Sequence, residues 1–167
     1  MRICWQAWQR SGNLQTAQRD TLALSFRLRR DFAASRPESL AVQRGSDTVL
    51  LSFLSYESVQ GTETMWNENG EVLWRKWNQY FYEPAKHSVR RREVPLATPS
   101  SEPTEPAPAW DADETSLVAG HVSQFQVSSR TGDIKLKVTI VTQDDTATSS
   151  TQVSVLPNLY ALDTVGY

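Results

Sequence analysis

The sequence predicts an α+β fold in which a long N-terminal helix packs on antiparallel β-sheet. Two observations carry the prediction. The stretch "QTAQRDTLALSFRLRRDFAAS", Gln15 to Ser35, has no Gly or Pro, and its apolar residues Leu24, Leu28 and Phe32 recur four apart, as one face of a helix requires. After Pro37 the period falls to two, the alternation of strands that bury one face. The chain therefore divides into an N-terminal helix, 1–36, and a globular β-rich head, 37–167.

Traced backward in steps of three and four, the helical seam passes through Thr21, Ala17 and Leu14 and becomes smaller and more polar. Its C-terminal half is fit to pack on a core, and its N-terminal turns are expected to project. About 21 helical residues rise roughly 30 Å, well beyond a mean globular helix, so the helix reads as a handle. The opening "MRICWQAWQR" mixes Ile3, Trp5 and Trp8 with Arg2 and Arg10. That composition suits either a frayed first turn or the place where a helix leaves a bilayer. Pro37 disfavours a helical predecessor and sets the boundary.

"DTVLLSFLSYESV" is β-branched and aromatic and reads as a buried strand after the turn Gly45-Ser46-Asp47. Asn69-Gly70 marks a tight turn. In "LWRKWNQYFYE" alternation places Trp74, Lys76, Asn78, Tyr80 and Tyr82 on one face, with Arg75, Trp77, Gln79 and Phe81 on the other. Pro84-Ala85-Lys86-His87 turns the chain back into "SVRRREV", a hairpin partner expected to be solvated and near an edge. Residues 95–116, "PLATPSSEPTEPAPAWDADETS", form a Pro-rich acidic loop with no core-forming period. In "HVSQFQVSS", Val122, Gln124 and Gln126 oppose Ser123, Phe125 and Val127. After Thr131-Gly132-Asp133 comes "IKLKVTIVT", then the turn "DDTATSS" and "TQVSVLP". These last three strands read as a meander whose apolar face the helix stripe Leu24, Leu28 and Phe32 is expected to cover.

Composition narrows the function. A chain of 167 residues with 39% hydrophobic and 22% charged residues is globular, and its net charge of −2 gives no nucleic-acid footprint. The single Cys4 excludes an internal disulfide and a thiolate metal cage. No apolar run reaches the roughly 18 residues of a membrane span. His87 and His121 lack metal-ligand spacing. Asp144-Asp145, with Thr146 and Asp163, offers oxygen atoms but not the pattern of a calcium loop, so no metal is expected. Serines without a Gly-x-Ser-x-Gly elbow and glycines that never cluster argue against a hydrolase and against a nucleotide site. No catalytic residue and no cofactor are expected.

Two groups of side chains are candidates for recognition. Trp66, Trp74, Trp77, Tyr80, Phe81 and Tyr82 form an aromatic set that alternation divides between two faces, so at least one group is expected in the core, and leftover rings, Trp77 among them, suit a protein contact or a carbohydrate-binding, adhesive surface. The run Arg90-Arg91-Arg92 reads as a solvated edge strand, or else as a partner for the acidic loop or an acidic protein.

The helix end "LRRDFAAS", the strand "SDTVLLSFLS", the hairpin "WNQYFYEPAKHSVRRREVPL", the segment "LVAGHVSQFQVSSRTGDIKLKVTIVT" and the closing "STQVSVLPN" follow one another in an order that resembles the minor pseudopilins of type II secretion, most nearly the J-type, and the related W-type minor pilins of type IV pili. The resemblance covers about residues 14 to 158. It implies a pilin-like subunit without enzymatic activity that joins other minor subunits at a filament tip. It also implies a head in the periplasm or outside the cell, held to the inner membrane by an N-terminal apolar segment that nothing before Gln15 provides. Side-by-side helices in such a filament would leave Gln18, Arg19, Arg29 and Asp31 facing neighbouring subunits, with Trp77 and Arg91 as further contacts on the head.

Overall fold

The computed structural model describes residues 2–57, 65–103, 105–129, 136–144 and 147–155, with side chains at 15–57 (save 17 and 37), 65–103 and 105–128. Helix α1 spans Arg2–Ala33. It buries Thr21, Leu24, Ser25, Leu28, Asp31 and Phe32 and exposes Leu22, Phe26, Arg29 and Arg30. The Ser25 hydroxyl donates to the Thr21 carbonyl at 2.7 Å, so this small polar member of the buried stripe is satisfied within the helix. Beyond Ala33 the chain is stitched to strand β2 (Val49–Ser55). The Arg36 amide donates to the Leu54 carbonyl at 3.1 Å and the Tyr56 amide to the Ala34 carbonyl at 3.2 Å. Pro37 opens a 3-10 turn, Pro37–Ser39, a few residues past the helix end.

A five-stranded antiparallel sheet follows, in the order β1 (Ala41–Arg44), β2, β3 (Trp74–Glu83), β4 (Ser88–Ser100) and β5 (Ser116–Ala119). A second antiparallel sheet holds β6 (Val122–Ser129), β7 (Leu136–Asp144) and β8 (Ala147–Val155). The fold is α+β. Helix α1 covers one face of the five-stranded sheet and also runs beside β7 and β8. Leu24, Leu28 and Phe32 meet Leu51 and Phe53 of β2, Tyr80 and Tyr82 of β3 and Val89 of β4. Phe32 and Phe53 rings lie 4.2 Å apart. The stripe expected to cover the meander packs, among the described side chains, in one cluster with the larger sheet and with Val122, Phe125 and Val127 of β6, while the helix also runs beside β7 and β8.

The β3–β4 hairpin turns through Pro84–Lys86, where His87 takes the left-handed conformation (φ 47°) and returns its amide to the Pro84 carbonyl. Near Asn69-Gly70, the Gly70 amide donates to the Asn67 carbonyl at 3.0 Å with a φ of +79°, which explains the glycine. Both turns stand where the sequence places them. Strand β4 does not. It is internal, flanked by β3 and β5, and it runs on through Pro95 and Pro99 into the segment read as loop. The prolines are tolerated because β5 pairs only with Val89, Arg90 and Arg91, so beyond Arg91 one side of β4 needs no amide donors.

Two irregularities defeat simple alternation. A register shift between Trp74 and Lys76 turns Trp74 away from Tyr80 and Tyr82 and into a cluster with Trp77, Leu54 and Leu96 on the opposite face. Another between Val122 and Gln124 brings Val122 to the core side with Phe125 and Val127. Strand β8 begins at Ala147, inside the stretch read as a turn. The side chains of Cys4, Trp5, Trp8 and Leu14, the turn at Thr131-Gly132-Asp133, and the Asp145, Thr146 and Asp163 oxygens lie outside the described residues.

The second face of the large sheet is covered by the segment between β4 and β5. Trp110 stacks on Phe81 with centroids 4.8 Å apart, Ala107 packs on the Trp74–Trp77 cluster, and the Gln79 amide nitrogen donates to the Pro108 carbonyl at 2.7 Å. The sheet is therefore a middle layer between helix and strap.

Candidate interaction surfaces

Position 31 follows Leu24 by seven and Leu28 by three, so the helical period carries Asp31 onto the buried stripe, not onto the outward face. There its Oδ2 accepts from Arg91 Nε at 2.5 Å and from the Tyr80 hydroxyl at 2.7 Å. Arg91 stands cross-strand from Tyr80, which fixes both donors on the sheet face that meets the helix. The guanidinium also reaches Asn78 Oδ1 at 3.0 Å and Glu93 at 2.5 Å. Glu93 in turn pairs with Lys76 at 3.2 Å and lies 3.7 Å from Arg27 of α1. Asp31, Asn78, Lys76 and Arg91 are all buried. A lone charge there would be costly, and mutual pairing with hydrogen bonds is what makes the arrangement tolerable.

The titrations follow from this packing. Burial raises the Tyr80 phenol well above its ordinary value, and the neighbouring Asp31 carboxylate adds to the rise. Burial alone would lower the Arg91 guanidinium, but Asp31, Tyr80 and Glu93 together outweigh it and the net shift is upward. Burial pulls Glu93 up, yet the Arg91 and Lys76 cations bring it below the usual carboxylate range. Tyr82 is raised by burial.

Asp31 and Arg91 are therefore not surface contacts but the clamp between helix and sheet. Trp77 is 5% exposed, in the cluster with Leu54, Trp74 and Leu96, so its ring is covered by the chain itself and does not stand on the surface as the sequence suggested. Its neighbour Phe81 is stacked under Trp110. Gln18, Arg19 and Arg29 do face outward. Between them lies an apolar pair that the buried stripe leaves outside: Leu22 and Phe26 are 66% and 73% exposed. With Gln15, Gln18, Arg19 and Ala23 they line a shallow groove of about 530 Å³ along α1. The signal was present, since Leu22 and Phe26 stand four apart and out of step with Leu24 and Leu28, an apolar pair the buried stripe cannot absorb.

A larger open cleft, about 1270 Å³, separates the β1–β2 turn from β6 and is lined by Arg44, Asp47, Tyr82, Glu83, Ser123 and Gln126 among others. Two of its donors are spent on the protein: Arg44 Nη2 donates to the Val127 carbonyl and the Tyr82 hydroxyl to the Ser123 carbonyl, each at 2.8 Å. They cap the free edge of β6, an edge that would otherwise invite another strand. At the N-terminal end of β6, Asp20 of α1 accepts from the Gly120 amide at 3.1 Å and lies 3.5 Å from His121 Nδ1, a second tie between helix and head.

Among the described residues, no group of three or more His, Cys, Asp or Glu side chains is placed to hold a metal ion, and no helix is long and apolar enough to cross a membrane. What the surface offers is an outward apolar strip on a clamped helix, suited to recognition by packing. Comparison with protein family models, with curated proteins and with solved structures finds no match to this chain.

Proposed function

We propose that this chain is a filament subunit, a minor pseudopilin of type II secretion that joins other minor subunits at the filament tip through its N-terminal helix. The minor pilins of type IV pili and of DNA-uptake machines fall under the same reading. The subunit acts by assembly, with no active site, and its head belongs in the periplasm or outside the cell. The observation that supports this is the division of α1 into two faces. One is clamped to the sheet by Asp31, Arg91 and Tyr80, while the other holds Leu22 and Phe26 in solvent. Helices that pack side by side need such a strip, with polar residues at its margins to set register. Gln18, Arg19 and Arg29 are those margins, whereas Asp31, Trp77 and Arg91 serve the head.

The test is co-purification with the minor pseudopilin and minor pilin subunits encoded in the same genome. The wild-type chain should be recovered with at least one of them, and Phe26→Asp should reduce recovery about tenfold while melting at the wild-type temperature. Failure of the wild-type chain to associate with any such subunit would refute the reading.

A further inference from the structure

The strap on the outer face of the large sheet has a chemistry of its own. Residues 105–111, Glu-Pro-Ala-Pro-Ala-Trp-Asp, run across it without regular secondary structure. Beneath them lie Trp77, Gln79 and Phe81 of β3 and, cross-strand, Arg90 and Arg92 of β4. The strap's contacts include the Trp110–Phe81 stack, Ala107 on the Trp74–Trp77 cluster, the Gln79 bond to the Pro108 carbonyl, and Arg92, which reaches the Ala109 carbonyl at 3.5 Å and Asp111 at 3.6 Å. Glu105, Pro106, Ala109 and Asp111 face solvent. The sheet, in contrast, is left hungry. Trp77 Nε1, Gln79 Oε1, Arg90 Nε and Arg92 Nε are buried without hydrogen-bond partners, three donors and one acceptor on the covered face. Buried polar atoms are normally paired, so these four are positions where the strap leaves hydrogen-bonding capacity unused.

We propose that this outer face is a docking site for an extended, proline-rich acidic peptide, filled in cis by the strap and open in trans to such a segment of a partner protein when the strap lifts. Aromatic rings for prolines and apolar residues, with arginines for carboxylates, are the means by which extended proline-rich and acidic motifs are recognised. The strap itself shows that the face accepts this chemistry. The unpartnered donors mark where a segment supplying more carbonyl or carboxylate oxygens would bind better. The strap is anchored at both ends by β4 and β5, so it lifts without leaving and acts as a competitor at high effective concentration.

The test uses the full chain with Trp110→Ala, which removes the cis stack, and a labelled synthetic peptide of residues 105–113 followed by fluorescence anisotropy. We expect saturable one-to-one binding to this variant, at least tenfold weaker binding to the wild-type chain, and loss of binding when Arg92→Glu is added or when the peptide's tryptophan is replaced by alanine. No saturable binding, or binding indifferent to Arg92→Glu, overturns the proposal. So does dimerisation of the Trp110→Ala chain without peptide binding, which would make a second copy the occupant. Amide exchange on the unmodified protein provides a measurement independent of any variant. Residues 105–115 should exchange at least a hundredfold faster than β3, and equal protection of the two overturns the proposal.

Discussion

Asp31 of the helix and Arg91 of the sheet, 60 residues apart in sequence, form a buried ion pair at 2.5 Å, with the Tyr80 hydroxyl on the same carboxylate oxygen. The pair joins the two layers at one point. Removing either charge strands the other in a low-dielectric interior. Asp31→Leu is expected to cost about 3–5 kcal/mol, and Arg91→Met a similar amount. The double variant, apolar on both sides, should recover much of the loss because neither charge is then left alone. Urea denaturation of the four proteins completes the cycle, and additive losses would mean that the two side chains do not act as a pair.

The same cluster sets an acid limit on stability. The folded-state pKa of Glu93 is depressed, so the unfolded chain binds its proton at a higher pH than the folded one does. The stabilisation is present above the ordinary Glu value of about 4.3 and is lost as pH falls through the folded value. Glu93→Gln should therefore lower stability at neutral pH and flatten its decline below about pH 4.3. Melting temperatures from pH 7 down to 3 distinguish this from a uniform loss, which would place the acid sensitivity elsewhere.

Tyr80 gives the alkaline counterpart. Its folded pKa is raised, so its contribution is full below the unfolded value of about 10 and disappears as pH rises beyond it, when the unfolded chain ionises first. Tyr80→Phe should remove this component and make the alkaline loss shallower above pH 10, with a lower stability at neutral pH from the missing bond to Asp31. An unchanged alkaline slope would show that other groups govern it.

The α+β class, the β3–β4 hairpin and the buried helical stripe were legible because each depends on local periodicity or turn chemistry. Leu24, Leu28 and Phe32 needed only the helical period. The misreadings share one cause: they depend on what lies across the sheet. A single register shift moves Trp74 to the other face, and no local pattern announces it. An Arg-rich strand looks solvated until Asp31 arrives from the helix and Trp110 and Asp111 from the strap. Trp77 reads as a ring left over for contacts because the cover on its face comes from a Pro-rich segment with no core-forming pattern of its own.

The helix faces can be separated by two neighbouring positions. Leu28 is fully buried among Leu51, Phe53 and Tyr80, so Leu28→Ala should cost about 2–5 kcal/mol through lost transfer energy and the cavity left behind. Phe26 precedes it by two residues, half a turn away, and is 73% exposed. Phe26→Ala should change stability by no more than about 0.5 kcal/mol, since alanine favours the helix and little packing is lost. Arg29→Glu, also outward, should behave like Phe26→Ala in melting. In assembly the order should invert. Phe26→Ala and Arg29→Glu, both folded, should weaken recovery with partner subunits, whereas the folded fraction of Leu28→Ala should bind as the wild type does. Thermal melting and co-purification on the same three variants provide both readouts, and a Phe26→Ala chain that melts as early as Leu28→Ala would mean that Leu22 and Phe26 support the head and are not a surface held out for a partner.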